Sequence, residues 1–255
     1  MKLSAIILTS NEEKNIPECL TALSWADEIL VVDSNSQDAT VVLAEKYGAR
    51  VVTHPFADFA SQRNFAMSQA KGDWVLFIDA DERVTPQLAA EIKTVILPSP
   101  DSLPAGREQG EKYAYAIQFQ TFFFGKRLRF GDALKDSHIR LFPRLQVAWT
   151  QPVHEQIVTN LPCRELKNPI FHYTTRDFTH YMTKFARYVP GELDIMKRKG
   201  LRPSLLRTVV RPPARFFQLY FFKLGILDGI AGFQYAILSA YYTFVKHWRY
   251  WKQAT

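Results

Sequence analysis

The sequence predicts a mixed α/β domain built on a doubly wound sheet and followed by a basic, aromatic helical extension. Three observations lead to this fold class. Through the first 97 residues, apolar runs of strand length alternate with stretches at helical spacing, the pattern of parallel strands joined by crossover helices. Polar clusters follow directly on those runs, where such sheets bind their ligands. Within a net charge of +7 the signs are segregated: residues 1–125 carry 10 Lys and Arg against 17 Asp and Glu, residues 162–255 carry 16 against 5.

The elements can be read in order. Leu3 to Leu8 is a first buried strand rather than a signal peptide, because acidic residues follow it at once. A helix runs from about Glu12 to Leu23, a strand from Ile29 to Val32, and a second helix from about Asp38 to Tyr47, with Ser36 as its cap and Gly48 as its stop. A short strand at Arg50 to Thr53, a helix from about Phe59 to Ala70 and an apolar strand from Trp74 to Ile78 come next. Thr85 followed by Pro86 starts another helix. The segment from Leu97 to Glu111, rich in Pro and Gly and without periodicity, reads as a surface loop. Strands are expected over Tyr113–Phe124, His138–Pro143 and Val153–Thr159.

After Asp177 the pattern turns helical, with a break at Pro190-Gly191. From Leu224 to Val245 the chain is long enough to span a bilayer, yet Asp228 and Gln234 make that costly. An interfacial helical hairpin fits better, with Arg202, Arg207, Arg211 and Arg215 before it and Lys246, His247, Arg249 and Lys252 after it to meet anionic headgroups. The expected domains are 1–175 and 176–255. Cys19 and Cys163 lie outside any metal or redox spacing, which fits a reducing compartment.

The strongest chemical signal is Asp79-Ala80-Asp81 at the end of a buried strand. Side chains two apart share a face, so both carboxylates can converge on one hard divalent cation, Mn²⁺ or Mg²⁺. The alternative is an acidic strand end that only caps a helix. Thr9-Ser10-Asn11-Glu12 and Asp33-Ser34-Asn35-Ser36 follow two other strands, so three polar clusters gather on one sheet edge. Asp33 can accept a ring N–H of a base, and the hydroxyls of Ser34 and Ser36 can meet ribose or phosphate, or serve as plain caps. Arg140 and Arg144 present guanidinium forks suited to a diphosphate, and Arg63 and Asn64 precede the acidic strand as donor contacts.

ILTSNEEKNIPECLTAL, ILVVDSNSQDAT and GDWVLFIDADE, in this order and spacing, resemble the amino-terminal half of a family 2 glycosyltransferase with the nucleotide-sugar-binding GT-A fold. RLFPR, PVHEQI and the basic apolar tail are similar to the subgroup that includes lipopolysaccharide-core glucosyltransferases. The resemblance implies Thr9, Asn11 and Glu12 near the nucleotide, Asp33 on the base, Asp79 near ribose or metal, and Asp81 as metal ligand. It also implies an inverting, single in-line displacement with one carboxylate as base. Glu155 is the favoured base, Asp132 and Asp136 are the reserves, and His154 is a ligand for the metal or diphosphate.

The resulting expectation is a metal-dependent hexosyltransferase, using UDP-glucose or another nucleoside diphosphate sugar and a glycan or glycolipid acceptor. It would sit peripherally at the inner face of the cell membrane, with self-association as a further expectation and nucleic acid not among its partners. Two other classes remain open from sequence: a nucleotidyltransferase, which would release pyrophosphate, and a non-catalytic basic membrane-binding module. A dinucleotide-dependent dehydrogenase is disfavoured because no G-x-G-x-x-G follows the first strand.

Overall fold

The computed structural model describes residues 1–97, 113–133, 136–150 and 156–253. The chain divides into two compact units, Met1–Phe119 with Ser137–His172, and Gln120–Asp136 with Tyr173–Thr255. The second begins close to the expected boundary at 175. It also takes in the segment 120–136, because Leu128 and Asp132 are tied to the C-terminal helices.

In the first unit, β1 (Leu3–Thr9), β2 (Glu28–Asp33), β3 (Arg50–Thr53) and β4 (Trp74–Asp79) form the parallel part of the sheet in the order β3-β2-β1-β4. The helices α1 (Ile16–Leu23), α2 (Thr40–Lys46) and α3 (Phe59–Gln69) are the crossovers. β5 (Glu82–Val84) and α4 (Pro86–Ile96) follow, the latter capped by Thr85, which accepts from the Leu88 N–H at 3.1 Å. β6 (Ala114–Phe123), β7 (Lys126–Arg127) and β8 (Ser137–Pro143) add antiparallel pairings, β8 lying against both β4 and β6. β9 (Ala148–Thr150) and β10 (Gln156–Val158) form a separate pair. β11 (Cys163–Glu165) runs parallel to β6, and β12 (Ile170–Thr175) pairs with β5.

The central strands β1 and β4 are almost wholly apolar and buried because both faces are covered, with Ser4 the polar exception inside β1. Leu3, Ala5 and Ile7 of β1 with Trp74, Leu76 and Ile78 of β4 pack toward α1 and α4, whereas Ile6, Val75 and Phe77 pack toward α3. This period-2 alternation puts a separate core on each side of one sheet. The register aligns Thr9 with Asp33, Leu8 with Asp79 and Asp33 with Thr53. The polar ends of the central strands therefore stand in one row.

The second unit holds α5 (Phe178–Arg198), α6 (Leu205–Phe217) and α7 (Gly229–Lys252). The expected break at Pro190-Gly191 is absent and α5 runs through it, despite the lost hydrogen bond and the ring clash that an internal proline brings; the burial of Val189 and Leu193 on either side holds the helix in place. Between α6 and α7 lie a wide turn at Gln218–Phe222 and a short 3-10 turn at Gly225–Asp228. Among the described residues no single helix is long and apolar enough to cross a membrane; Leu205–Phe222 and Gly225–Lys252 meet at a bend of 73°. A Cβ on Gly232 would lie 1.9 Å from the Gly225 carbonyl oxygen, so glycine is required for this approach. Asp228, a cost for a spanning helix, is instead used locally and accepts from the Arg129 and Phe130 N–H groups at 3.0–3.1 Å.

Candidate active site

β1 and β2 end side by side, and the two loops that follow are knitted together by short polar side chains. Asp33, 1% exposed, accepts from Thr9 Oγ1 at 2.9 Å, from the Ser36 N–H at 2.8 Å and from Ser36 Oγ at 2.6 Å. The Asn11 N–H donates to Ser36 Oγ at 2.8 Å, and Asn11 Oδ1 accepts from the Gln37 N–H at 2.8 Å. Asn11 and Asn35 adopt the left-handed conformation with φ of 58° and 57°, which Asn tolerates better than most residues. Ser36 thus serves Asp33 and not the expected cap of α2, whose first turn is met by Asp38 accepting from the Thr40 N–H at 3.0 Å.

The structure brings Thr9, Asn11, Asp33, Ser34 and Ser36 together, as the sequence reading expects. Glu12 joins them through its N–H, which donates to Thr40 Oγ1 at 2.7 Å. Asp33 has most of its lone pairs occupied by its own chain, so its first effect is to shape the loop. Asn11 is exposed and Ser34 half-buried. Ser34 Oγ also accepts from Gln62 Nε2 at 3.1 Å, and His54 Nδ1 lies 2.7 Å from Gln62 Oε1.

The end of β4 carries the densest charge. Arg140, 8% exposed on β8, donates through Nη2 to Asp79 Oδ2 at 3.1 Å and to Glu82 Oε1 at 2.7 Å. Arg63 Nη2 stands 3.9 Å from Asp79 Oδ1, with its guanidinium over Trp149 and Phe77 at 4.6 and 5.1 Å. Burial opposes ionisation of Asp79, but the charges of Arg140 and Arg63 outweigh it and hold the carboxyl below its usual range. Glu82, 1% exposed, is pushed by burial up to about 7 against the pull of Arg140. His172 Nε2 lies 3.6 Å from Asp81 Oδ1; burial works against its charged form, but Asp81 outweighs this and raises its pKa.

This donor set fits a hard divalent cation. Among the described residues no three His, Cys, Asp or Glu side chains converge on one point, but Mg²⁺-type sites are commonly built from one or two carboxylates completed by substrate phosphates and water. Asp79 ends β4 and Asp81 lies in the turn that follows it, off the strand face expected from sequence; these two would supply the carboxylates. Arg140 Nε is buried and has no hydrogen-bond partner among the described residues, which leaves a cationic donor beside them for an incoming oxygen.

The other candidates fall elsewhere. Arg144 Nε donates to the Gly72 carbonyl at 3.0 Å, at the opposite end of β4 from Asp79, so it fastens the sheet. Asn64 clamps β9, exchanging two hydrogen bonds with Trp149 at 2.8 and 3.0 Å. Asp132 lies in the second unit, paired with Arg215 and with Lys223 at 2.6 Å. Burial opposes its ionisation, but Lys223 and Arg215 outweigh it and hold the carboxyl low, which makes it a weak base. Asp136, in the same unit, is half-buried just before β8. His154 and Glu155 lie outside the described residues. Glu82 and His172 were missed by sequence reasoning: one sits beside the Asp-x-Asp triplet, and the other is distant in sequence and joins it only through the β5–β12 pairing.

The family model described as "Glycosyl transferase family 2" matches residues 4–131. A lipopolysaccharide core biosynthesis glycosyltransferase, LpsC, from Rhizobium meliloti is 27% identical over 96% of this chain and 90% of its own length. An uncharacterized glycosyltransferase from Rickettsia bellii is 27% identical over 96% of this chain and 84% of its own. Among solved structures, Staphylococcus aureus TarS residues 1–349 is similar at 15% identity, covering 98% of this chain and 89% of that one with a TM-score of 0.48.

Replacing Arg140 by Met leaves Glu82 buried without its partner, and the expected loss is about 3 kcal/mol at pH 8. A carboxyl whose pKa is raised from 4.5 to about 7 on folding costs stability as pH rises through that interval. The loss in the variant should therefore be smaller at pH 5, where Glu82 keeps its proton. Urea unfolding at the two pH values measures this, and equal losses would contradict the buried pair.

Proposed function

The chain belongs to glycosyl transferase family 2, and on that premise we propose a metal-dependent, inverting transfer of a hexosyl group from a nucleoside diphosphate sugar to a cell-envelope glycan. UDP-glucose is the favoured donor. The acceptor proposed is a lipopolysaccharide-core or lipid-linked glycan, supported by similarity to LpsC over 96% of the chain. The observation that carries the reading is the end of β4, where Asp79 and Asp81 stand beside the buried cation Arg140.

In this reading Thr9, Asn11, Glu12, Asp33, Ser34 and Ser36 form the nucleoside side of the cleft, with Asp33 setting the loop that meets the base. Arg63 and Arg140 place positive charge where the nucleoside diphosphate gathers negative charge as it leaves. Mn²⁺ or Mg²⁺, held by Asp79 and Asp81 with His154 as a further ligand, supplies neutralisation of the same diphosphate. His172 orients Asp81 from behind. Glu155 takes the proton of the acceptor hydroxyl as its oxygen bonds to the anomeric carbon and the bond from that carbon to the diphosphate oxygen breaks.

The second unit supports work at the inner face of the cell membrane. Leu206, Val209, Val210 and Phe217 of α6 and Ile230, Phe233, Ile237, Tyr241 and Phe244 of α7 are all exposed, and Arg202, Arg249 and Lys252 flank them. An apolar stripe rimmed by cations is the chemistry of an interfacial helix on anionic lipid.

With UDP-[¹⁴C]glucose and deacylated core oligosaccharide, label is expected in the glycan with release of UDP, and Glu155→Gln should slow turnover at least about a hundredfold. Release of pyrophosphate, or full turnover by Glu155→Gln, would overturn the donor chemistry or the base. Sedimentation with phosphatidylglycerol vesicles tests the membrane face separately: Ile230→Glu combined with Leu206→Glu should abolish a salt-resistant component of binding, and its survival would refute docking through these helices.

A further inference from the structure

The two C-terminal helices carry their polar and their exposed apolar residues on separate sides. On α6, Leu206, Val209, Val210 and Phe217 share one side and are exposed, while Arg211, Ala214, Arg215 and Gln218 recur at the i, i+3, i+4, i+7 spacing of the opposite side. On α7, Ile230, Phe233, Ile237, Tyr241 and Phe244 form the exposed apolar side, while Tyr235, Ser239, Tyr242, Thr243 and Lys246 form the other. These two polar stripes, with Tyr181 of α5 and His247, line a cavity of about 730 Å³, within the usual range for small-ligand sites.

Among the described residues no Asp or Glu lines this cavity. Arg215 is paired with Asp132, which also holds Lys223, and Lys246 is paired with Glu192 at 3.0 Å. Arg211 has no acceptor among the described residues. Burial and then the charges of Arg211, Lys246 and Arg207 depress the pKa of His247, as expected where positive potential is in excess. Around the cavity, Arg207, Arg211, Arg215, Lys223 and Lys246 are five cations against the two carboxylates of Asp132 and Glu192. Of the hydroxyls in the same walls, those of Tyr181 and Thr243 already donate to the Leu238 and Ser239 carbonyls at 2.8 and 2.9 Å, so the cations are the groups that would meet a ligand.

A cavity with surplus guanidinium and ammonium charge and no carboxylate among its described lining residues suits a compact polyanion with several acceptor oxygens. We propose that it is a phosphoryl-binding site, holding the phosphate of a phosphorylated sugar or of a phospholipid headgroup through Arg211 with Arg215 and Lys246. It shares no residue with the end of β4 and stands whether or not the donor assignment does. It differs from diffuse attraction to an anionic surface in being saturable and selective for a terminal phosphate over a phosphodiester of similar charge.

The test uses the full chain in EDTA, with glucose 6-phosphate and inorganic phosphate as calorimetric titrants. In parallel, phosphatidylcholine vesicles carrying phosphatidic acid are compared with vesicles carrying phosphatidylglycerol. Saturable binding of glucose 6-phosphate, weakened about tenfold by Arg211→Gln (about 1.4 kcal/mol) and retained in Arg63→Gln, supports the site with a soluble sugar phosphate as its source. A preference for phosphatidic acid that Arg211→Gln abolishes supports it with a lipid source. Arg211 is exposed, and an unchanged unfolding temperature of the variant confirms that its fold is intact. Independently of any variant, filling the site should shift the His247 imidazole titration upward, as read by NMR. Absence of saturation by every probe, equal binding by Arg211→Gln, or an unmoved His247 titration would overturn the proposal.

Discussion

The guanidinium of Arg140 stands between Asp79 and Glu82 in a nearly dry part of the sheet, and the arrangement of the candidate active site depends on it. Taking Arg140 and Glu82 out of water is expensive unless their geometry is good and their remaining polar atoms are satisfied. Here Glu82 also accepts from the Asp79 N–H at 2.9 Å, so one buried carboxylate fixes both the cation and the turn that follows β4. Asp79 is left 41% exposed with its charge held by Arg140 and Arg63. The consequence is an ionised carboxylate facing solvent, with cations positioned behind it.

The first unit separates duties within the same row of strand ends. Asp33 is used up internally to fold a loop, which leaves Asn11 and Ser34 to face outward. Asp79 remains an outward-facing anion, while Asp81, 14% exposed, lies against His172. The second unit has a buried apolar core of its own around Phe185, Val189 and Leu193, yet it also leaves an apolar stripe on α6 and α7 exposed, which costs free energy in water because large side chains such as Ile230, 78% exposed, stay hydrated. That cost is removed where the surroundings are apolar. The exposed apolar stripes, the basic cavity and the basic flanks all arise from the sequence of α6 and α7.

Much of the first unit was legible because parallel strands and crossover helices leave strong periodic signals. Leu3 to Leu8 and Trp74 to Ile78 read as strands from their unbroken apolar runs, and Thr85-Pro86 read as a helix start; all three appear as such. The Asp79 and Asp81 cluster was visible from its place after an apolar strand. What escaped was set by pairing between distant segments: His172 reaches Asp81 through the β5–β12 register, and Arg144 turns to Gly72 while Arg140, four residues earlier, turns to Asp79. Arg140 lies on β8, whereas Arg144 falls in the 3-10 turn that follows it and escapes the strand's alternation. Ser36 looked like a cap because its spacing to α2 suited one, and only the closeness of β1 to β2 shows that Asp33 claims its hydroxyl. The amphipathicity of α6 and α7 was readable, but that their polar sides meet around one cavity was not.

Calorimetric titration of UDP into the purified chain, with and without Mn²⁺ and repeated on Asp81→Asn with GDP as a control nucleotide, tests the central claim most directly. The account predicts one-to-one binding of UDP that requires the cation and falls at least about tenfold in Asp81→Asn. Binding of UDP that is indifferent both to the cation and to Asp81 would contradict it.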